Sequence, residues 1–241
     1  MNVNARQEAL QLELPKAVAC VGLGGVGSWC AYFLALAGVK TLWLFDSDEI
    51  SDHNLNRIPL PMSAVGKKKT EALAELIHSV RPECNTLCMG AFTELVVDTC
   101  DLSSEVDYVV VSTDTLISRQ TIYGWASRKG VSYIEASAEG EMGSCTGAPA
   151  EWSTPQESLP GYASVPVWVG PCVFSAAVAV AHIIHGGFIG DRAIRMGWER
   201  TQGKYGPEEQ FSMFDSQLAE EDNVEDVSEA EKKAMETEGA V

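Results

Sequence analysis

The sequence predicts an α/β fold with a mostly parallel sheet, helices on both faces and an antiparallel extension near the C-terminus. Three observations carry this expectation. Residues 17–46, AVACVGLGGVGSWCAYFLALAGVKTLWLFD, read as strand, glycine-rich turn, helix and strand. Apolar strands then alternate with helical segments as far as residue 134, the pattern of parallel βα units. Two late segments, 193–199 and 210–214, read as strands joined by a glycine-containing turn, TQGKYGPE.

Each element has its own signal. Residues 5–12 form a short helix, and Pro15 separates it from the first strand. Residues 17–21 are a brief apolar run, as for a strand buried on both faces. Gly22, Gly24, Gly25, Gly27 and Ser28 follow, then apolar positions at helical spacing over 29–37. Gly38 supplies a left-handed cap. Residues 41–45 are a second apolar strand, with Asp46 at its carboxyl end. A polar loop, SDEISDHNLNRIPLP, comes next. Residues 67–80 carry a helical stripe of Ala72, Leu73, Leu76, Ile77 and Val80, and Pro82 stops it. Strand 86–89, helix 95–100, strand 106–111, helix 117–129 and strand 131–134 complete the alternation. Residues 139–170 are rich in Gly, Pro, Ser and Thr and read as a long crossing loop. Residues 173–184 form an almost wholly apolar helix. His182 and His185, near its end, have no carboxylate or cysteine partner in sequence and read as helix-end histidines.

Bulk properties exclude several classes. The formal net charge of -17 argues against nucleic-acid binding, which needs a basic face. Much of the acid lies in the tail: nine acidic residues from Glu220 onward stand against Lys232 and Lys233. The expected organisation is one domain over 1–216 and an acidic, unstructured tail over 217–241. The seven scattered cysteines make no CxxC pair and suit reduced thiols in a cytoplasm. The N-terminus lacks the apolar core of a signal peptide, and the longest apolar stretch is too short to span a bilayer.

The glycine turn points to a phosphate. Glycines let the backbone turn tightly and approach an anion, while the helix start offers unpaired N–H groups and the positive end of its dipole. Asp46 stands where a carboxylate can hydrogen-bond a ribose. The expected architecture is therefore Rossmann-like. Further along, Asn54 and Arg57 lie in HNLNR, Lys69 in VGKKKTEA, and Asp114 and Thr115 after the strand VDYVVV. Such positions converge on the ligand crevice of an open parallel sheet. Arg57 and Lys69 can neutralise a triphosphate. Asp114 can hold Mg²⁺, which takes one or two carboxylates plus phosphate oxygens.

In order and spacing, VGLGGVGS, FDSDEISDHNLNR, VGKKK and STD resemble the ThiF/MoeB/HesA superfamily, which includes the adenylation domains of ubiquitin-activating enzymes. WVGPCVFSAAVAVAHII and FSMFD resemble later elements of that fold, so the likeness covers residues 16–216. It implies an adenylyltransferase that binds ATP·Mg and activates a carboxylate, commonly the C-terminal glycine of a ubiquitin-like or sulfur-carrier protein. It also implies a homodimer. By the same resemblance, Gly25 lies against the phosphates, Asp46 binds the ribose, Asn54, Arg57 and Lys69 contact the phosphate chain, and Asp114 positions Mg²⁺. The chain lacks the zinc-binding CxxC pairs of many members. Arg6 echoes the family's N-terminal arginine only faintly, and His53 stands where a small residue is common. Some members form a thioester near the crossing loop. Cys145, in a Gly/Ser stretch, and Cys172, at a helix start whose dipole lowers a thiol pKa, are the candidates here.

Two other functions compete. The glycine turn and Asp46 also suit an NAD-dependent oxidoreductase, which leaves Arg57, Lys69 and Asp114 without roles. A catalytically idle adaptor that binds a ubiquitin-like partner has no need of those charges.

Overall fold

The computed structural model describes residues 3–149, 167–186 and 194–197. Its seven-stranded sheet has strands β1 (Val18–Val21), β2 (Thr41–Phe45), β3 (Asn85–Met89), β4 (Tyr108–Val111), β5 (Ser132–Glu139), β6 (Met142–Thr146) and β7 (Ile194–Gly197). Their spatial order is β3-β2-β1-β4-β5-β6-β7. β1 to β5 are parallel, while β6 and β7 pair antiparallel, so the expected class of sheet is present. The chain runs from β1 outward to β3, then returns to place β4 on the other side of β1. That reversal opens a crevice at the carboxyl ends of β1 and β4.

Six α-helices are described: α1 (Gly25–Ala37), α2 (Lys69–Val80), α3 (Glu94–Thr99), α4 (Leu102–Glu105), α5 (Leu116–Lys129) and α6 (Val169–His185). Alternate strand residues feed two cores. On one face Cys20, Leu44, Val110 and Ile134 pack with Leu34 of α1, Leu73 of α2 and Ala176 of α6. On the other, Val21, Phe45, Val109 and Val111 pack with Val97 of α3, Leu102 of α4 and Trp125 of α5. Gly38 and Gly130 end α1 and α5 with φ of 103° and 71°, left-handed caps that glycine adopts without a side-chain penalty.

Several expectations need correction. The proposed crossing loop begins with a strand, β6, which pairs with β5 around a turn at Gly140. Its residues, MGSCT, are too small to make an apolar run. They are nonetheless buried from Gly143 onward because α6 packs closely. A β-carbon on Gly143 would lie 2.6 Å from Ser175 Oγ and 2.7 Å from the Pro171 carbonyl oxygen. The helix expected over 5–12 is only a 3₁₀ turn, Glu8–Leu10, with no buried residue to anchor it. α6 starts at Val169, earlier than expected, and β5 runs on to Glu139. The polar loop after β2 has its own apolar anchor, because Ile50, Ile58 and Ala64 pack on Ala72 of α2. The expected strand 210–214 and the tail 217–241 lie outside the described residues. Among those residues, no helix is long and apolar enough to cross a membrane.

Candidate functional site

The glycine turn owes its shape to contacts that admit no side chain at two positions. Gly22 has φ of 82°, and a β-carbon there would lie 2.7 Å from the Ser112 carbonyl oxygen. One on Gly27 would lie 1.8 Å from the Gly22 carbonyl oxygen. Ser28 closes the turn, donating its hydroxyl to the Gly24 carbonyl at 2.7 Å. Gly24 is different: a β-carbon there would meet nothing within 4 Å. Gly24 is also the N-cap of α1, and no side chain caps that helix. The helix therefore starts beneath open space with its first N–H groups uncapped, which suits an anion.

Gly25 lies beside two side chains. A β-carbon there would lie 2.8 Å from Cys172 Sγ and 3.1 Å from Arg57 Cδ. The glycine gives room to the Arg57 stem. The Arg57 guanidinium donates through Nη1 to the His53 carbonyl (2.7 Å) and to Asn56 Oδ1 (2.9 Å). Trp29 of α1 donates its indole N–H to the Arg57 carbonyl at 2.8 Å, tying the loop to the helix. Asn56 in turn donates to the Val167 carbonyl, just before α6. Asn54 acts within its own loop, where its side-chain oxygen accepts the Ser51 N–H at 3.1 Å in a reciprocal capping box.

Asp46 ends β2 with a nearly buried carboxylate. Its Oδ2 accepts the Leu23 N–H at 2.7 Å and its Oδ1 accepts the Asp48 N–H at 2.8 Å. A carboxylate has about four lone-pair sites, so acceptor capacity remains for a ribose. Lys69, the first residue of α2, places Nζ 3.5 Å from Asp46 Oδ2 and 2.8 Å from Asp48 Oδ2. Glycine turn, Asp46, Arg57 and Lys69 thus gather at one end of the sheet.

Asp114 sits across the crevice, after β4. It is exposed, and it makes no hydrogen bond or ion pair to Arg57 or Lys69 among the described residues. Thr115 caps α5, its hydroxyl oxygen accepting the Ser118 N–H at 3.2 Å. Thr113 Oγ1 is buried and has no hydrogen-bond partner among the described residues. The open space at Gly24, the uncapped α1 and the exposed Asp114 carboxylate fit a triphosphate with its metal ion.

The thiol candidates have other surroundings than expected. Cys145 is fully buried in β6, and burial pushes its pKa far up. Cys172 is the fourth residue of α6 and is 1% exposed. Burial pushes its pKa up to about 11, although the neighbouring Arg57 acts the other way. Desolvation outweighs the helix dipole there. Neither is the exposed, activated thiol that a thioester requires.

Sequence reasoning missed Asp48, Asn56, Thr113 and the buried pair Arg119–Glu135. Asp48 had a signal, the second acid of FDSD. The others are visible only once the sheet brings distant segments together.

An open sheet whose strand order reverses beside a glycine-rich turn defines a doubly wound α/β protein. The chain belongs to the ThiF family, whose model matches residues 2–224. It is 30% identical over 124 residues to the tRNA threonylcarbamoyladenosine dehydratase of Haemophilus influenzae, spanning 51% of this chain and 48% of that protein. It is 32% identical over 142 residues to the adenylyltransferase and sulfurtransferase UBA4 of Vanderwaltozyma polyspora, spanning 55% of this chain and 31% of that one. Ubiquitin-like modifier-activating enzyme 5 of Drosophila ananassae is 28% identical over 147 residues, 56% of this chain and 36% of its own. The chain thus spans about half or less of the length of the curated relatives it matches. The crystal structure of E. coli MccB with ATP shares the fold, with a TM-score of 0.61 at 22% identity over 76% of this chain and 60% of that one.

Proposed function

We propose that this protein is an ATP-dependent adenylyltransferase that activates a carboxylate as an acyl-adenylate. The observation that carries this reading is the uncapped start of α1 under the open space at Gly24, flanked by Arg57, Lys69 and Asp46. A carboxylate oxygen attacks the α-phosphorus, the bond from that phosphorus to the β-phosphate bridging oxygen breaks, and pyrophosphate leaves. Asp46 accepts the ribose hydroxyls, and the α1 N–H groups hold phosphate oxygens. Arg57 and Lys69 lower the cost of charge gathering on the leaving pyrophosphate. Asp114, exposed after β4, is the group suited to a Mg²⁺ that would neutralise the phosphates when bound. No protein nucleophile takes part in this step. Membership of the ThiF family supports the reading, and it leaves the NAD alternative without support.

In this proposal the carboxylate belongs to the C-terminus of a ubiquitin-like or sulfur-carrier protein, or to a peptide, and the chain works as a homodimer in the cytoplasm. The Haemophilus relative's name points instead to tRNA, and charge argues against that here. The exposed cations Lys16, Lys67, Lys68, Arg128 and Lys129 each pair with a carboxylate. Among the described residues that leaves Arg6 and Lys40 as exposed cations without an ion pair, a small basic surface for phosphodiesters. ATP–pyrophosphate exchange tests the reading with ubiquitin-fold proteins ending in glycine, with peptide acids and with threonylcarbamoylated tRNA. Exchange driven by a protein or peptide acid is expected. Exchange driven by the tRNA alone overturns the substrate assignment, and ATP binding no tighter than NAD binding overturns the activity.

A further inference from the structure

Outside the ligand crevice, the core holds one buried ion pair among the described residues. Arg119 of α5 places Nη1 3.3 Å from Glu135 Oε1 of β5, with both side chains almost wholly shielded from water. Tyr133 donates its hydroxyl to Glu135 Oε2 at 3.1 Å. A buried pair of this kind is weak evidence for stability, because well-packed apolar residues often serve the fold as well. Its geometry points elsewhere. Arg119 also donates through Nε to the Thr113 carbonyl at 2.8 Å. That carbonyl lies one residue before Asp114.

The rest of the turn is held as firmly. Ser112 donates its N–H to the Val21 carbonyl of β1 at 2.8 Å and its hydroxyl to the Ala136 carbonyl of β5 at 2.9 Å. Thr115 caps α5. β1, β5 and α5 thus fix the backbone of residues 112–115, while the Thr113 hydroxyl and the Asp114 carboxylate stay uncommitted among the described contacts. A planar guanidinium suits this task. It serves an acceptor along Nε and a carboxylate along Nη in fixed directions, which an ammonium cannot do.

We propose that Arg119, oriented by Glu135, is a positioning residue that sets where the Asp114 carboxylate meets the metal of metal·ATP. The inference rests on the adenylyltransferase reading, in which Asp114 holds that metal. Positioning through a neighbour of a metal ligand typically changes metal affinity by about 10–100-fold.

The test titrates Mn²⁺ into the full chain saturated with a non-hydrolysable ATP analogue, following the Mn²⁺ resonance signal. Melting temperature and metal-free analogue affinity are measured alongside. Asp114→Ala is expected to weaken Mn²⁺ binding. Arg119→Lys is expected to weaken it about tenfold, with metal-free analogue affinity unchanged. The double variant Arg119→Met/Glu135→Leu is expected to melt near wild type and still bind Mn²⁺ weakly. Wild-type Mn²⁺ affinity in a stable double variant overturns the proposal, since the pair is then only structural. Wild-type affinity in Arg119→Lys, with Asp114→Ala weakened, overturns it too and leaves the site reading standing. Wild-type affinity in Asp114→Ala removes the metal assignment itself and the inference with it. If the double variant does not fold, Arg119→Lys decides.

Discussion

Lys69 Nζ stands 2.8 Å from Asp48 Oδ2, so the ammonium assigned to the triphosphate is already held by a carboxylate. A cation opening a helix sits at the wrong end of its dipole. Asp46 and Asp48 offset that and keep Lys69 at the crevice. In the proposed site a triphosphate competes for Lys69 with Asp48, whose side chain is largely exposed. An exposed pair contributes about 0–1 kcal/mol. Asp48→Asn is therefore expected to tighten ATP binding, by up to about fivefold, in a calorimetric titration. Weaker binding means instead that Asp48 aims Lys69 at the phosphates.

The glycines of the turn separate fold from binding. At Gly24 a side chain has space, and φ of −75° is ordinary. Gly24→Val is expected to melt within a few degrees of wild type yet lose ATP affinity at least about tenfold, because the methyls take space that phosphate oxygens need. Gly27→Ala meets the Gly22 carbonyl oxygen and is expected to fail in folding. Gly25→Val displaces Arg57 and Cys172 and is expected to lose both stability and binding. Thermal melts with and without ATP distinguish the three patterns.

The sheet and the glycine turn were legible because their signals are local. Apolar runs, glycines at a strand end and Asp46 after the next strand all lie within residues 17–46. β6 was not legible, because Gly143, Ser144, Cys145 and Thr146 are buried by close approach of α6 and carry no apolar run of their own. Cys172 misled for a related reason: sequence placed it at a helix start but not beneath the Arg57 stem in the core. Arg119 and Glu135 carry no local signal, because they meet only where α5 packs on β5. At the crevice, the sequence singled out Asp46, Arg57 and Lys69 but neither Asp48 and Asn56 nor the pairings that these residues make.

The buried thiols imply a pH window. Cys172 is held at about 11 and Cys20 at about 12, against an ordinary thiol value of 9.0, in each case chiefly through burial. A group whose folded pKa lies above its unfolded value contributes stability in full below the unfolded value and loses it as pH rises toward the folded one. Stability is thus expected to be insensitive to these thiols below about pH 9 and to fall between about pH 9 and 12. Urea denaturation midpoints measured from pH 7 to 11 check the sign. A Cys20→Ala variant should flatten the decline at the alkaline end. A steeper decline in that variant contradicts the assignment.

Charge, not a thiol, is expected to govern adenylation. Asp114→Ala removes the carboxylate suited to the metal. Arg57→Ala and Lys69→Ala leave the pyrophosphate leaving group less neutralised. Losing one preorganised group of this kind costs on the order of 10²–10³ in rate, or roughly 3–4 kcal/mol. ATP affinity should fall less, because each interaction strengthens as charge develops on the leaving group. Cys172→Ala leaves a small gap beside Arg57 and Gly25, and Cys145→Ala leaves one in β6. Both variants should keep pyrophosphate exchange within a few-fold of wild type, since no thiol acts before the adenylate forms. Exchange rates of all five variants, measured with a carboxylate that drives exchange in the wild type, decide between the two chemistries. If Asp114→Ala exchanges like wild type while Cys172→Ala, still folded, is inactive, the reacting centre lies at the start of α6 and the charges around Gly24 serve only to bind.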